Sequence, residues 1–404
     1  MKETGLRVWR VAILLGIAGM FTMGVSAQTE KVLYSFTNGS DGGYPLGGLV
    51  SDGKGNYYGT AQFAGSGNGG VVFELSPNSS AGWTERVIYS FVNGNVDGVF
   101  PVGGLVFDSK GNLYGMTSNG GAFFSGTVFE LTPSNGTWTE KVLWSFGNGS
   151  DGKNPYGDGI VLDAAGNIYG ITSGGGVYGS GTVFELLAGT NGAWTEKILH
   201  NFQGLNDGGG PIGTAPVLDT AGNLYGVAGA GGAHDYGVLY ELSPGSGGAW
   251  SEKVLYSFPA AAIGAYPIGT LSLDSLGNLY GVTNYTAFEL VRGSNGKWTE
   301  KTLHHFAGGA DGAGAEAGMV FDSAGNLYGQ TSTGGAHHGA VYELSPGTNG
   351  VWTEKILHRF AANGSDGYNP QFGATVVIDA SGNVFGTTLF GGTSNAGTVF
   401  EIQP

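Results

Sequence analysis

The chain has 404 residues, of which 81 are glycine and none is cysteine, and its formal net charge is −15. Hydrophobic residues make up 41% and aromatic residues 12%, too much apolar content for a disordered chain, so the glycines must serve turns between short strands. The acidic charge argues against nucleic acid and anionic membrane surfaces as partners, and the lack of cysteine excludes disulfides and a lipoprotein attachment site.

The first residues have the organisation of an export signal. Lys2, Arg7 and Arg10 precede a largely apolar run over residues 11–25, and small residues lead up to Ala27. We predict a signal peptide over residues 1–27 and a secreted or periplasmic bacterial protein. The alternative is an uncleaved N-terminal anchor. We expect the chain after residue 27 to be a monomer that does not insert into a membrane.

One sequence phrase recurs seven times along the rest of the chain, at intervals of about 55 residues. Its first copy is Glu-Lys-Val-Leu-Tyr-Ser-Phe at residues 30–36. The later copies begin at Glu85, Glu140, Glu196, Glu252, Glu300 and Glu354. A regular period of this length predicts a repeat architecture.

Three further segments follow each phrase and complete the repeat. In the second repeat they are residues 103–108, 111–117 and 126–131, each a short apolar or alternating run bounded by turn residues. The sequence Asp-Ser-Lys-Gly-Asn at residues 108–112 predicts a hairpin turn between the first two. Four antiparallel strands per repeat, without helical periodicity, predict the blades of an all-β propeller.

The order of the strands predicts how the ring closes. The strand at residues 30–36 stands alone ahead of the first repeat, whereas the last repeat, residues 372–401, lacks its fourth strand. The N-terminal strand can therefore complete the seventh blade and remove the exposed edges. We predict one seven-bladed β-propeller of four-stranded antiparallel blades over residues 28–404. An open solenoid, the alternative, would need polar caps at both ends.

Two segments of the repeat carry a family resemblance. They have the pattern G-N-L-Y-G-x-T at residues 111–117 and G-T-V-F-E-L at residues 126–131. With their copies over residues 28–404 they resemble the GloVer (Gloeo_Verruco) tandem repeat of secreted bacterial proteins. The resemblance implies export and a propeller-like fold, and it carries over no established activity.

Several residues recur in the repeats and have structural explanations. Tryptophan precedes six copies of the phrase, and we expect it to pack between blades. A glutamate in each third strand and a lysine or arginine in each fourth strand predict cross-strand charge pairs. His200, His304 and His358 take the position of Tyr34 and are expected to be interchangeable packing groups rather than zinc ligands.

The loops between the second and third strands differ from blade to blade, and variable loops on a rigid scaffold commonly carry binding groups. Aromatic side chains beside polar ones suit sugar rings or other flat ligands. The candidate ligand-binding residues are Phe63, Phe123, Phe124, Tyr178, His234, Asp235, Tyr236, Tyr285, His337, His338 and Phe390. The alternative is that these side chains pack locally over the next blade. Blades five and six depart from the pattern through a shortened loop at residues 283–286, and this notch is a further place to expect a ligand.

The loops between the fourth strand and the next blade carry an Asp-Gly pair in six blades. Their aspartates are Asp41, Asp97, Asp151, Asp207, Asp311 and Asp366. Turn formation explains these pairs without an ion, and no cofactor is expected. The alternative is a ring of carboxylates near the central channel that gathers Ca²⁺.

The sequence is compatible with three functions. The first is a non-catalytic binding or adhesion module for glycans or another component of the cell envelope or exterior. The second is an enzyme acting on a carbohydrate or lactone, less favoured because the sequence lacks the nucleophile elbow, zinc-protease and P-loop motifs. The third is a structural repeat protein of the cell envelope.

Overall fold

The computed structural model describes residues 29–80, 82–92, 94, 96–157, 159–213, 215–259, 264–335, 338–371 and 373–403, so the predicted signal peptide lies outside them. The described chain is almost wholly β. Its helical segments are short 3₁₀ turns at Thr190–Gly192, Ser246–Gly248, Gly309–Asp311 and Thr348–Gly350. None of the described segments is a helix of the length and apolarity that a membrane crossing requires.

The strands follow one another in repeats of four. The first strand, β1, spans Thr29–Ser35. Blade 1 consists of β2 (Val50–Ser51), β3 (Tyr57–Ala61), β4 (Asn68–Pro77) and β5 (Trp83–Val92). Blade 2 consists of β6 (Gly98–Phe107), β7 (Leu113–Gly120), β8 (Thr127–Ser134) and β9 (Thr137–Ser145). Blade 3 contains β10 (Gly152–Lys153), β11 (Val161–Leu162), β12 (Ile168–Thr172), β13 (Gly174–Gly175), β14 (Thr182–Ala188) and β15 (Trp194–Asn201).

The remaining blades continue the same order. Blade 4 consists of β16 (Val217–Leu218), β17 (Leu224–Ala228), β18 (Val238–Pro244) and β19 (Trp250–Ser257). Blade 5 consists of β20 (Pro267–Leu273), β21 (Leu279–Thr283), β22 (Thr286–Arg292) and β23 (Trp298–His305). Blade 6 consists of β24 (Val320–Phe321), β25 (Leu327–Thr331), β26 (Ala340–Pro346) and β27 (Trp352–Arg359). Blade 7 contains β28 (Gly367–Tyr368), β29 (Val377–Ile378), β30 (Val384–Thr388), β31 (Phe390–Gly391) and β32 (Thr398–Gln403).

The N-terminal strand closes the ring as the sequence predicts. The seventh four-stranded sheet has the order β1-β32-β30-β29, so β1 is the fourth strand of blade 7. It pairs antiparallel with β32, from Thr29 opposite Gln403 to Ser35 opposite Thr398. The seven-bladed propeller of four-stranded antiparallel sheets is thereby confirmed.

The hydrophobic core lies between blades. Seven clusters of buried side chains join neighbouring blades. The recurring tryptophans take part, since Trp138 of blade 2 lies 6.0 Å from Tyr58 of blade 1 between ring centroids. Each blade therefore depends on both of its neighbours for burial, which makes a closed ring more stable than an open array.

A glycine in every second strand makes room for the third strand. A Cβ atom on Gly115 would lie 2.6 Å from Cζ of Phe129 and 2.8 Å from Cδ2 of Leu105. These distances are below van der Waals contact, so packing requires glycine at this position of the second strand.

The fourth strands carry a β-bulge at one repeated place. In β1 the pairing shifts between Val32 and Tyr34, which leaves Leu33 as the extra residue, and the shift recurs in the other blades. A bulge changes the face to which later side chains point. Glu30 and Tyr34 consequently lie on opposite faces of the blade, so each fourth strand offers a glutamate to one neighbouring blade and an aromatic or histidine side chain to the other.

The expected cross-strand charge pairs form in several blades. Arg86 bonds to Glu74, Lys301 lies 3.3 Å from Glu289 and Lys197 lies 3.6 Å from Glu185, each between the fourth and third strands of one blade.

Candidate functional site

Two sets of loops meet on one face of the propeller, which we call the loop face. It is formed by the loops that enter each blade and by those between second and third strands. Gly43 and Phe63, one from each set in blade 1, exchange backbone hydrogen bonds of 3.0 and 3.1 Å. Short ladders join the same loops in blades 3 and 7, between β10 and β13 and between β28 and β31.

In the loop that enters each blade, one residue has an unusual backbone conformation, and we call its position the blade mouth. Tyr44, Phe100 and Tyr266 precede a proline and have φ angles of 60°, 58° and 59°. Large side chains rarely adopt this left-handed region, and a following proline normally favours extended backbone. Blades 4 and 6 place glycine there, at Gly210 and Gly314.

Hydrogen bonds within and between blades hold this conformation. The Tyr44 amide donates to the carbonyl oxygen of Ala396 in blade 7 at 2.7 Å, and the Gln62 amide donates to the Tyr44 carbonyl at 3.2 Å. The Tyr266 amide likewise donates to the carbonyl of Tyr236 in blade 4 at 2.9 Å. Such strain of roughly 1–3 kcal/mol persists only where the surroundings impose it, and it is common at binding sites.

Six aromatic rings form a continuous row over blades 6, 7, 1 and 2, which we call the aromatic row. Their centroids lie 5.2 to 5.7 Å apart from one ring to the next. In order the rings belong to Phe100, Phe63, Tyr44, Phe390, Tyr368 and His338. A separate pair on the same face joins Tyr236 to Tyr266 at 5.5 Å.

The sequence candidates divide between these groups and isolated positions. Phe63, Phe390 and His338 lie in the aromatic row, and Tyr236 lies in the separate pair. The exposed candidates elsewhere on the loop face are Phe123, Phe124, Tyr178, His234, Asp235 and Tyr285. His337 lies outside the described residues.

Sequence reasoning missed the aromatic residues at the blade mouths. Tyr44, Phe100 and Tyr266 were visible as aromatic-Pro pairs entering three blades. Their importance depends on a positive φ angle, and the ordinary effect of the following proline predicts extended backbone.

The loop that enters blade 6 borders the shortened loop of blade 5, since the Gly314 amide donates to the Asn284 carbonyl at 3.0 Å, and it leads to a buried carboxyl group at Glu316. In blade 5 only two residues separate Thr283 from Thr286, as the shortened loop predicts. Glu316 of blade 6 lies two residues after Gly314, where the other blades place Leu46, Val102, Tyr156, Ile212, Ile268 and Gln371.

Burial raises the pKa of the Glu316 carboxyl above its usual range, opposed by a hydrogen bond from Ser332. Its Oε2 atom is buried and has no hydrogen-bond partner among the described residues. Burial, and next the charge of Glu316, raise the pKa of Tyr156 in blade 3. Tyr156 and Glu316 both lie shortly before the first strand of their blades, and in a propeller the first strands surround the central channel.

The six loop aspartates lie away from the centre, against the fourth strands. Each accepts a hydrogen bond from the aromatic or histidine side chain after the bulge, as in Tyr34 to Asp41 at 3.0 Å and Trp144 to Asp151 at 3.2 Å. The equivalent pairs are Tyr89 with Asp97, His200 with Asp207, His304 with Asp311 and His358 with Asp366. The fourth strand is the edge opposite the first in each sheet, so these carboxylates form no ring at the central channel.

A wide cleft lies on the opposite face, where the turns are uniform. It has a volume of about 620 Å³ between blades 2 and 3 and includes Asp108, Lys110, Tyr114 and Trp194 in its walls. A related cleft of about 500 Å³ separates blades 1 and 2. Because both repeat the contact between a turn and the next tryptophan, blade packing accounts for them.

A family model described as the Gloeobacter/Verrucomicrobia repeat matches residues 18–161 and 139–289. No curated protein is significantly similar in sequence. Among solved structures, virginiamycin B lyase from Staphylococcus aureus is 16% identical with a TM-score of 0.54, covering 93% of this chain and 99% of that one. A streptogramin B lyase is 15% identical with a TM-score of 0.55, covering 93% and 97%. At these identities the likeness shows the fold.

Proposed function

Since the chain belongs to the Gloeobacter/Verrucomicrobia repeat family and folds as a seven-bladed β-propeller, we propose that it is an exported binding module that holds a glycan on its loop face. The observation that carries the proposal is the aromatic row together with the strained Tyr44, Phe100 and Tyr266. The scaffold holds these rings in place at a conformational cost, although glycine fills the same position in two other blades.

The chemistry of the row suits a carbohydrate. Aromatic faces bury the apolar C–H surface of a sugar ring, while loop backbone and polar side chains bond its hydroxyl groups. A neutral glycan also meets no electrostatic penalty on a chain with a net charge of −15, whereas an anionic polymer would. The row crosses four blades, which favours several sugar units over one.

A glycan array followed by calorimetric titration tests this proposal. We expect retention of a neutral oligosaccharide, and we expect Tyr44→Gly to weaken its affinity roughly 10-fold, equivalent to about 1.4 kcal/mol. The backbone accepts glycine here, since Gly210 and Gly314 are its equivalents. Lys110→Ala in the cleft of the opposite face is the control and should leave affinity unchanged. Silence across neutral glycans would instead favour a structural envelope protein.

A second candidate function is hydrolysis or elimination on a carbohydrate or lactone, with Glu316 as general acid or base. It is motivated by the Glu316 carboxyl, which has a raised pKa and an oxygen without a hydrogen-bond partner among the described residues. This group lies in the part of blade 6 nearest the central channel. Turnover of a lactone or glycoside by the wild-type protein would support this function if Glu316→Gln abolishes the turnover and leaves glycan binding intact. Turnover unchanged by this substitution would exclude Glu316 from the chemistry.

A further inference from the structure

Glu30, His358 and Asp366 gather at the junction where the N-terminal strand completes the ring. Glu30 belongs to β1 of blade 7, His358 to β27 of blade 6, and Asp366 to the loop between these blades. One ligand atom from each lies within 4.8 Å of the others. The His358 Nε2 atom is 3.2 Å from Oδ2 of Asp366.

Two oxygens in this cluster have no protein partner. Asp366 is only 7% exposed, and its Oδ1 atom has no hydrogen-bond partner among the described residues. The Oε1 atom of Glu30 is likewise buried and unpartnered. Buried carboxylate oxygens are normally satisfied by a donor or a cation.

A cleft of about 370 Å³ opens on the same residues, with Asn363 and Ser365 also in its wall. Ligand atoms about 2.1 Å from a tetrahedral ion lie roughly 3.4 Å apart, so small side-chain adjustments bring these three into place. The cleft leaves the fourth position open to water.

We propose that Glu30, His358 and Asp366 bind a divalent transition-metal ion, with Zn²⁺ as the preferred ion. One imidazole nitrogen and two carboxylates form a mixed donor set that suits Zn²⁺, whereas Ca²⁺ and Mg²⁺ favour oxygen alone. The ion links the outer strand of blade 7 to blade 6 and so holds the closing strand.

The next junction along the ring repeats the arrangement. His304, Asp311 and Glu354 are the other such group among the described residues, with His304 Nε2 at 3.1 Å from Asp311 and 3.5 Å from Glu354. His200, Asp207 and Glu252 share the same repeat positions, but their ligand atoms are not gathered within that distance. The protein therefore contains two candidate sites and a matched control.

The test uses untagged protein treated with EDTA, dialysed and titrated with ZnCl₂ by calorimetry. We expect two bound ions per chain, one ion in His358→Tyr, one in His304→Tyr and two in His200→Tyr. Tyrosine is tolerated by the fold because Tyr34, Tyr89 and Tyr256 occupy this position in other blades. Glu30→Gln offers a second, nearly isosteric test of the closing site.

The Zn²⁺ affinity, the stoichiometry and the Tm of the closing-site variants decide the proposal. At the closing site, either substitution should weaken Zn²⁺ binding by at least 100-fold, and Zn²⁺ should raise Tm in wild type more than in His358→Tyr. Unchanged affinity and stoichiometry in both variants, or no saturable Zn²⁺ uptake by wild type, would overturn it. Equal displacement by Ca²⁺ would overturn the assigned class of ion.

Discussion

Glu196 of blade 3 meets Asp151, which follows the fourth strand of blade 2, in a carboxyl–carboxyl contact between blades. Burial of Glu196, with a hydrogen bond to Asp151 and the charge of Asp151, raises the pKa of Glu196 to about 9. Asp151 in turn accepts hydrogen bonds from the Trp144 indole and the Gly147 amide. In the folded protein the Glu196 carboxyl beside Asp151 therefore keeps its proton at neutral pH.

The repeated contact predicts that stability falls as pH rises. Burial, and next the charge of Asp41, raise the pKa of Glu85 to about 7. Burial, and next the charge of Asp97, raise the pKa of Glu140 to about 7 in the same way. A carboxyl group whose pKa is higher in the folded than in the unfolded chain stabilises the fold. This contribution is complete below the unfolded pKa near 4.5 and is lost as pH rises through the folded pKa. Urea midpoints should therefore decrease between about pH 5 and pH 9.

Glu196→Gln isolates the upper part of this range. The amide cannot ionise, so the decrease between pH 7 and pH 9 should become shallower. The same substitution at Glu241, which pairs across strands with Lys253, serves as the control and should keep the wild-type slope. An identical slope in the Glu196→Gln variant would exclude this contact as the source.

Phe36→Ala should destabilise the closed ring by about 3–5 kcal/mol. Phe36 follows β1, is fully buried and lies 5.1 Å from Phe73 of blade 1 between ring centroids. Its loss leaves a cavity at the junction made by the N-terminal strand. Tyr178→Ala, at a side chain 57% exposed, should change stability by less than about 0.5 kcal/mol. Chemical denaturation measures both, and equal small effects would contradict closure by β1.

Gly115→Ala should destabilise by about 1–3 kcal/mol, because its Cβ meets Phe129 and Leu105. Gly174→Ala is the matched control, since its Cβ has only the Lys153 carbonyl nearby, at 3.8 Å. Thermal denaturation of the two variants should separate them clearly. Similar melting temperatures would show that the second strand shifts freely.

Tyr266→Gly should keep or raise the free energy of unfolding, by up to about 1 kcal/mol, because it removes left-handed strain. Tyr285→Gly replaces another exposed tyrosine whose φ is not positive, and added chain entropy should lower its stability by about 0.5–1 kcal/mol. A marked loss of stability in Tyr266→Gly alone would show that the ring serves packing rather than binding.

The architecture was predictable because the number of copies of the repeated phrase equals the number of blades. The lone phrase at residues 30–36 and the incomplete last repeat required closure by β1, and family membership followed from the same segments. The blade-mouth aromatics were not predictable as a site, because tertiary hydrogen bonds override the usual backbone preference before proline. Glu30 and His358 were also missed as partners, since they are distant in sequence and the bulge determines which way each side chain points.

The most direct test of glycan binding on the loop face is a crystal structure of the protein grown with the oligosaccharide that an array retains. We predict sugar density along the aromatic row, with sugar rings stacked on Tyr44 or Phe390 and hydroxyl groups bonded to the surrounding loops. Density confined to the clefts of the opposite face, or a loop face without sugar at saturating ligand, would contradict it.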